Sequence, residues 1–150
     1  MTQNRALYEQ VILEHNKTPR NFRAIENPDH EVKGFNPLCG DQFTIFLKMN
    51  GDRIDDISFQ GNGCAISKSS ASLMTTLVKG KTAKEAHDMF VKFHHMVTSE
   101  PDKELSEADL GKLMVFSGVR EYPVRIKCAT LAWYAMLNAL EGKGEVASTE

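Results

Sequence analysis

Gln42-Phe43-Thr44-Ile45-Phe46-Leu47-Lys48-Met49, followed by Asn50-Gly51, decides how this chain folds. Aromatic and β-branched residues fill the first eight positions, which suits a pleated, half-buried strand. Asn50-Gly51 is a two-residue hairpin signal, because both central turn positions favour positive φ. Ile54, Ile57 and Phe59 suit a second strand after Arg53. A third strand is expected near residues 30–36, around Glu31-Val32-Lys33, among turn formers that include Asn27-Pro28 and Asn36-Pro37.

Outside this hairpin the period is helical. Upstream, residues 5–17 place Leu7, Val11 and Ile12 on one stripe until Pro19 stops the pattern. Downstream, past Gly61-Asn62-Gly63, an Ala/Ser-rich stretch from Cys64 to Lys79 turns Ile66, Leu73, Leu77 and Val78 towards a core. Gly80 ends it. Thr82-Ala83-Lys84-Glu85 fits a capping box for a helix running to His94. Residues 98–105 form a polar break around Pro101, and Ser106-Glu107-Ala108-Asp109 predicts a short helix over Ser106 to Phe116. Gly118 to Pro123 is a further break. Pro123 then opens a last helix, where its missing N–H is harmless, carrying Leu131, Trp133, Ala135, Leu137 and Leu140 before Gly142. Helix, strands, then helices predict an α+β fold: a small antiparallel sheet of about three strands with helices packed on one face. The length predicts one domain over residues 1–150, with a flexible tail expected from about 142 to 150, and no internal repeat is present.

Composition narrows the function. At 150 residues the chain buries roughly 70% of its unfolded surface and needs no disulfide framework. Eighteen basic against 20 acidic residues leave no net positive field to collect nucleic acid or acidic membrane. No apolar run approaches the roughly 20 residues that span a bilayer, and MTQNRALYEQ lacks the basic and apolar regions of a signal peptide. The expected compartment is the cytoplasm. There, an odd count of three cysteines argues against a structural disulfide set and leaves core thiols, reactive thiols or metal ligands.

The contexts of these thiols differ from those of packing residues. Cys39 and Asp41 flank Gly40 in an extended segment, where residues i and i+2 project to one side. Cys64 sits at an expected helix N-terminus, where unpaired amides and the helix dipole favour a thiolate. Cys128 lies early in the last helix, near Arg125 and Lys127, which lower its pKa if they face it. Three thiols and one carboxylate suit tetrahedral zinc or an iron–sulfur cluster. Gaps of 25 and 64 residues, with no CxxC pair, leave buried packing thiols equally open at this point.

Asn36-Pro37-Leu38-Cys39-Gly40-Asp41, Gly61-Asn62-Gly63-Cys64-Ala65-Ile66-Ser67 and Arg125-Ile126-Lys127-Cys128-Ala129-Thr130-Leu131 resemble the three signature segments of the IscU/NifU N-terminal family, in the expected order. Two features are similar to its SufU-type branch. Lys127 stands where IscU-type scaffolds carry His, and residues 98–117 fall where the branch carries an insertion. The family's Leu-Pro-Pro-Val-Lys chaperone motif appears only in altered form, as Tyr122-Pro123-Val124-Arg125.

The resemblance implies the same sheet-and-helix fold and zinc held by Cys39, Asp41, Cys64 and Cys128. It implies that Cys39 accepts persulfide sulfur from a SufS-type cysteine desulfurase for iron–sulfur cluster assembly, while a partner histidine takes the zinc position that Cys39 vacates. Downstream Suf-type assembly proteins or apoproteins would receive the product. Two other readings follow from the same residues: a scaffold on which a [2Fe–2S] cluster is built and handed on, and a structural zinc protein that acts only by docking. His87, His94 and His95 are expected on a solvated helix face and not as ligands. The methionines Met74, Met89, Met96, Met114 and Met136 are expected in the core. Arg120, Arg125 and Lys127 are expected as a basic rim or ordinary surface charge.

Overall fold

The hairpin forms the centre of the molecule. A computed structural model describes residues 2–106, 110–142 and 147–148. Strands β1 (His30–Asn36), β2 (Asp41–Asn50) and β3 (Arg53–Asn62) pair antiparallel, with β2 in the middle. Alternation does what the pattern predicts. Phe43, Ile45 and Leu47 of β2 and Ile57 and Phe59 of β3 are buried on the helix-covered face. The turn lies one residue later than Asn50-Gly51. Asn50 pairs with Arg53, so Gly51-Asp52 form the loop, and Gly51 alone takes a positive φ there, at 63°. A bulge beside Lys48 and Met49 gives β3 one extra residue and shifts the register.

Helix α1 (Thr2–Lys17) precedes the sheet, and α2 (Ala65–Val78), α3 (Ala83–Thr98) and α4 (Pro123–Leu140) follow it. Among the described residues none of these is long and apolar enough to cross a membrane. The α1 stripe differs from expectation. Tyr8, Val11 and Ile12 pack on the core while Leu7 is exposed, because 8, 11, 12 and 15 follow the helical period more closely. Helix α2 is the central strut, touching α1, α4 and β3. Its small residues let those neighbours approach, and its buried hydroxyls remain satisfied. Ser70 Oγ donates to the Ala129 carbonyl at 2.6 Å and accepts from Trp133 Nε1 at 3.2 Å. Trp133 stacks on Phe93 at 4.8 Å, and Met74, Met96 and Met136 fill the same core. The Thr82 capping box is present with both reciprocal bonds, to and from Glu85.

The region before α4 departs from the expected short helix over 106–116. Residues 107–109 of that cap signal lie outside the described residues, and a 3-10 helix runs over Gly111–Glu121, through Gly118, which was expected to break. Gly111 takes a φ of +52°, which an α-helix cannot pass through, so the segment restarts in the tighter form. Within the tail expected to fray, Ala147–Ser148 form a short parallel strand, β4, beside Gly34 and Phe35 of β1. The open edge of β1 supplies the backbone partners for it. The remaining tail residues from 143 to 146 and from 149 to 150 lie outside the described residues.

Candidate metal centre

The β1–β2 connection places the first two candidate ligands. Asn36 and Asp41 are cross-strand partners, so residues 37–40 form a four-residue loop with Cys39 near its end. Gly40 closes it with a φ of +72°, a conformation that costs a side-chain-bearing residue energy. The Asn36 carbonyl accepts the Gly40 N–H at 2.8 Å, and Asn36 Oδ1 accepts the Leu38 N–H at 3.2 Å. The loop therefore presents Cys39 to solvent, while Asp41, the first residue of β2, is fully buried.

Cys64 is the N-cap of α2, as the sequence predicts. Its sulfur accepts the Ser67 N–H at 3.4 Å, where helices more often place an oxygen. Its own N–H donates to Asp41 Oδ1 at 2.9 Å, which joins the hairpin to the helix. Gly63 makes this junction reachable. A Cβ there would collide with Ser67 Oγ and lie 2.7 Å from Phe43 Cζ.

Cys128 comes from the second turn of α4 and is 2% exposed. Its Sγ lies 3.4 Å from Cys39 Sγ, and Cys39, Asp41 and Cys128 each offer a ligand atom within 4.8 Å of the others. Cys64 is not part of that mutually close set. It meets the set through Asp41 and through a thiol hydrogen bond with Cys128. Three elements thus converge from sequence positions 39, 64 and 128.

Proton affinities are divided between the two thiols. The hydrogen bond from Cys128 holds Cys64 down at about 6, with further help from Ser67. The same pairing pushes the Cys128 thiol well up, aided by burial and by the nearby Cys39. Arg125 and Lys127 do not produce these shifts. Arg125 stacks on the Tyr122 ring at 4.6 Å. Arg120 is not a rim cation either, since its guanidinium donates to the carbonyls of Glu100, Lys103 and Ser117 and clamps the loop after α3.

This donor set fits a zinc ion. Tetrahedral ligands about 2.3 Å from an ion stand about 3.8 Å apart. The 3.4 Å sulfur pair and the 4.8 Å limit bracket that spacing. Soft thiols with one carboxylate are the donors zinc selects, and a dication would lower the proton affinity of each thiol it holds. Among the described residues no histidine joins a metal-ligating group. His94 instead packs against Phe90, with ring centroids 5.5 Å apart.

One residue beside the thiols has no role assigned by the sequence beyond its place in a turn and at the head of the first signature segment. Asn36 is fully buried, and its Nδ2 lies 3.4 Å from Asp41 Oδ2 and 3.5 Å from Cys128 Sγ. It is the last residue of β1 and opens the loop, and nothing local signals the second contact, which spans 92 positions.

Comparison with known proteins agrees with this architecture. The family model described as NifU-like N terminal domain matches residues 7–129. The chain is 43% identical over 131 residues to the zinc-dependent sulfurtransferase SufU of Bacillus subtilis, covering 87% of this chain and 86% of that protein. It is 40% identical over 138 residues to the iron–sulfur cluster assembly scaffold protein IscU of Streptococcus pyogenes, covering 90% and 83%. Among solved structures, a putative iron–sulfur cluster assembly scaffold protein for the SUF system from Fervidobacterium islandicum superposes with a TM-score of 0.80 at 36% identity, covering 87% of this chain and 94% of that one.

Proposed function

The chain belongs to the NifU-like N-terminal domain family, and on that premise we propose that it is a zinc-dependent acceptor and carrier of persulfide sulfur in iron–sulfur cluster assembly. Cys39 and Cys64 are both exposed and Cys128 is buried, and the observation that carries this reading is the contact between the exposed loop thiol and the buried one. Cys39 is exposed on a short loop, yet its sulfur reaches the buried Cys128 at 3.4 Å. A group so placed can meet a donor from outside and still belong to a shared ligand set.

Cys39, Asp41, Cys64 and Cys128 would hold the zinc, whose positive charge keeps the thiols deprotonated at neutral pH. The donor is a cysteine desulfurase of the SufS type that presents a cysteine persulfide. The Cys39 thiolate attacks the terminal sulfur of R–S–SH, and a new S–S bond forms at Cys39 as the donor's S–S bond breaks. R–S⁻ leaves, Cys39–S–SH keeps the sulfur and its proton, and no external oxidant or reductant enters. Asp41 and the Cys64 N–H hold the hairpin against α2 throughout. Downstream assembly proteins or apoproteins then receive the sulfur in a cytoplasmic pathway.

The test replaces Cys39 by Ala and follows sulfur by intact-protein mass and desulfurase turnover. The reading expects loss of the added sulfur and of the turnover gain, with zinc-free folding retained. Persistent sulfur transfer to the Cys39→Ala chain would refute the assignment. The scaffold reading is favoured by the Streptococcus pyogenes relative named for that role. It expects a stable, transferable [2Fe–2S] cluster after anaerobic reconstitution and no gain in desulfurase turnover, since thiolates are also the usual cluster ligands.

A further inference from the structure

The four candidate ligands are not equally held by the protein around them. Asp41 accepts from the Cys64 N–H at 2.9 Å and faces Asn36 Nδ2 at 3.4 Å. Cys128 Sγ faces the same Nδ2 at 3.5 Å, and Cys64 Sγ accepts the Ser67 N–H at 3.4 Å. Among the described residues no N–H or hydroxyl donates to Cys39 Sγ, whose one hydrogen-bond partner is the Cys128 thiol. A primary amide carries two N–H bonds, so one Asn side chain can serve two anions at once. The remaining atoms of Asn36 are also committed, with Oδ1 accepting from Leu38 N and the carbonyl accepting from Gly40 N.

We propose that Asn36 is a positioning residue that ties Asp41 and Cys128 to the centre as permanent ligands and thereby makes Cys39 the one that leaves. This deepens the functional reading above and rests on its assignment of these residues as zinc ligands. The physical argument is differential support. Hydrogen bonds to a ligating carboxylate or thiolate fix its orientation and stabilise its charge, and outer-shell partners are typically worth about 10–100-fold in metal affinity. Asn36 supports two of the four ligands and the Ser67 N–H supports Cys64, which leaves Cys39 without such a donor. It also holds both ends of the loop, so Cys39 can swing out without disturbing Asp41 across the strand pair.

The decisive variant is Asn36→Asp. It keeps an Oδ1 acceptor for Leu38 N and removes both Nδ2 donors, so it separates holding the loop from holding the ligands. Asn36→Ser is the second variant, since its single hydroxyl can serve one ligand only and adds no charge. The full chain, loaded with zinc, is mixed with a chromophoric chelator to follow zinc release. It is also treated with limiting iodoacetamide, and the order of cysteine alkylation is read by mass spectrometry. Cobalt-loaded protein supplies the thiolate-to-metal absorption band as a signature that mere loss of stability does not reshape.

The expected result is zinc release faster by about 10–100-fold in Asn36→Asp and by less in Asn36→Ser. The cobalt band should be altered, and Cys128 should be alkylated alongside Cys39 where the parent protein loses Cys39 first. If both variants keep the parent's release rate, cobalt band and Cys39-first order, the role of Asn36 is overturned while the zinc reading stands. A parent protein that binds neither zinc nor cobalt overturns the zinc reading itself.

Discussion

Asp41→Ala is the perturbation whose outcome can be worked most fully from the geometry. Asp41 is fully buried, and Oδ1 accepts the Cys64 N–H at 2.9 Å. Removing the carboxylate has two opposing effects in the zinc-free chain. It leaves the Cys64 N–H and Asn36 Nδ2 without their acceptor, at about 1–3 kcal/mol for a buried donor, and relieves the desolvation of a buried carboxylate, so the two partly offset. The zinc-loaded chain behaves differently. At free zinc about 100-fold above Kd, binding adds about 2.7 kcal/mol to the parent. For a chain of this size that raises Tm by about 5–11 °C. Loss of a ligand weakens binding at least as much as the about 100-fold upper end for an outer-shell partner. At the same zinc concentration the increment then falls to about 0.4 kcal/mol, or about 1–2 °C. The assay is thermal unfolding of each protein with zinc and with chelator, and the diagnostic quantity is the difference between the two midpoints. Asp41→Asn, which keeps an acceptor for Cys64 N, should lose the zinc increment as well. A full zinc-dependent shift in Asp41→Ala would refute the claim that this carboxylate is a ligand.

Two further substitutions probe the frame around the site. In Gly63→Ala the new methyl meets Phe43 Cζ at 2.7 Å and collides with Ser67, so urea unfolding should show a loss of about 1–3 kcal/mol; an unchanged midpoint would mean that the α2 N-terminus has slack. His15 gives a pH signature. Ser72 Oγ accepts the Arg20 N–H at 2.8 Å and hydrogen-bonds with His15 Nδ1 at 2.7 Å, which ties the end of α1 to α2. Burial and Arg20 hold His15 below its ordinary pKa, with Lys112 acting the same way and Glu14 opposing. The unfolded chain therefore takes up this proton first, and stability present above about pH 6.5 is lost as pH falls through the folded value. His15→Gln should flatten that part of a stability-against-pH curve, and an identical slope in both proteins would remove His15 from the account.

Much of this fold was legible because it is built from local rules. The alternation in Gln42–Met49 gave the strands, and Thr82 with Glu85 gave the start of α3 as a capping box. The motif around Cys64 gave the thiol at a helix N-terminus. The misreadings have local causes too. The hairpin turn centres on Gly51-Asp52, where Gly51 alone takes positive φ, and a 3-10 segment stands in place of an α-helix after Gly111, which also adopts positive φ. Leu7 was placed in the core stripe by spacing alone, whereas Tyr8 takes that face.

What the residues determined by themselves was the set of chemistries on offer: three thiols and a carboxylate at element ends, in a chain with enough apolar surface for its own core. Periodicity and capping act over a few positions, so they are written in the order of residues. Only the packing of α4 and α2 against the β1–β2 loop decided that Cys39, Asp41 and Cys128 meet, with Cys64 joined to them. The same packing gave one buried amide, Asn36, contact with two of them. Distances between sites 89 or 92 positions apart depend on how whole elements stack, and no local pattern encodes that.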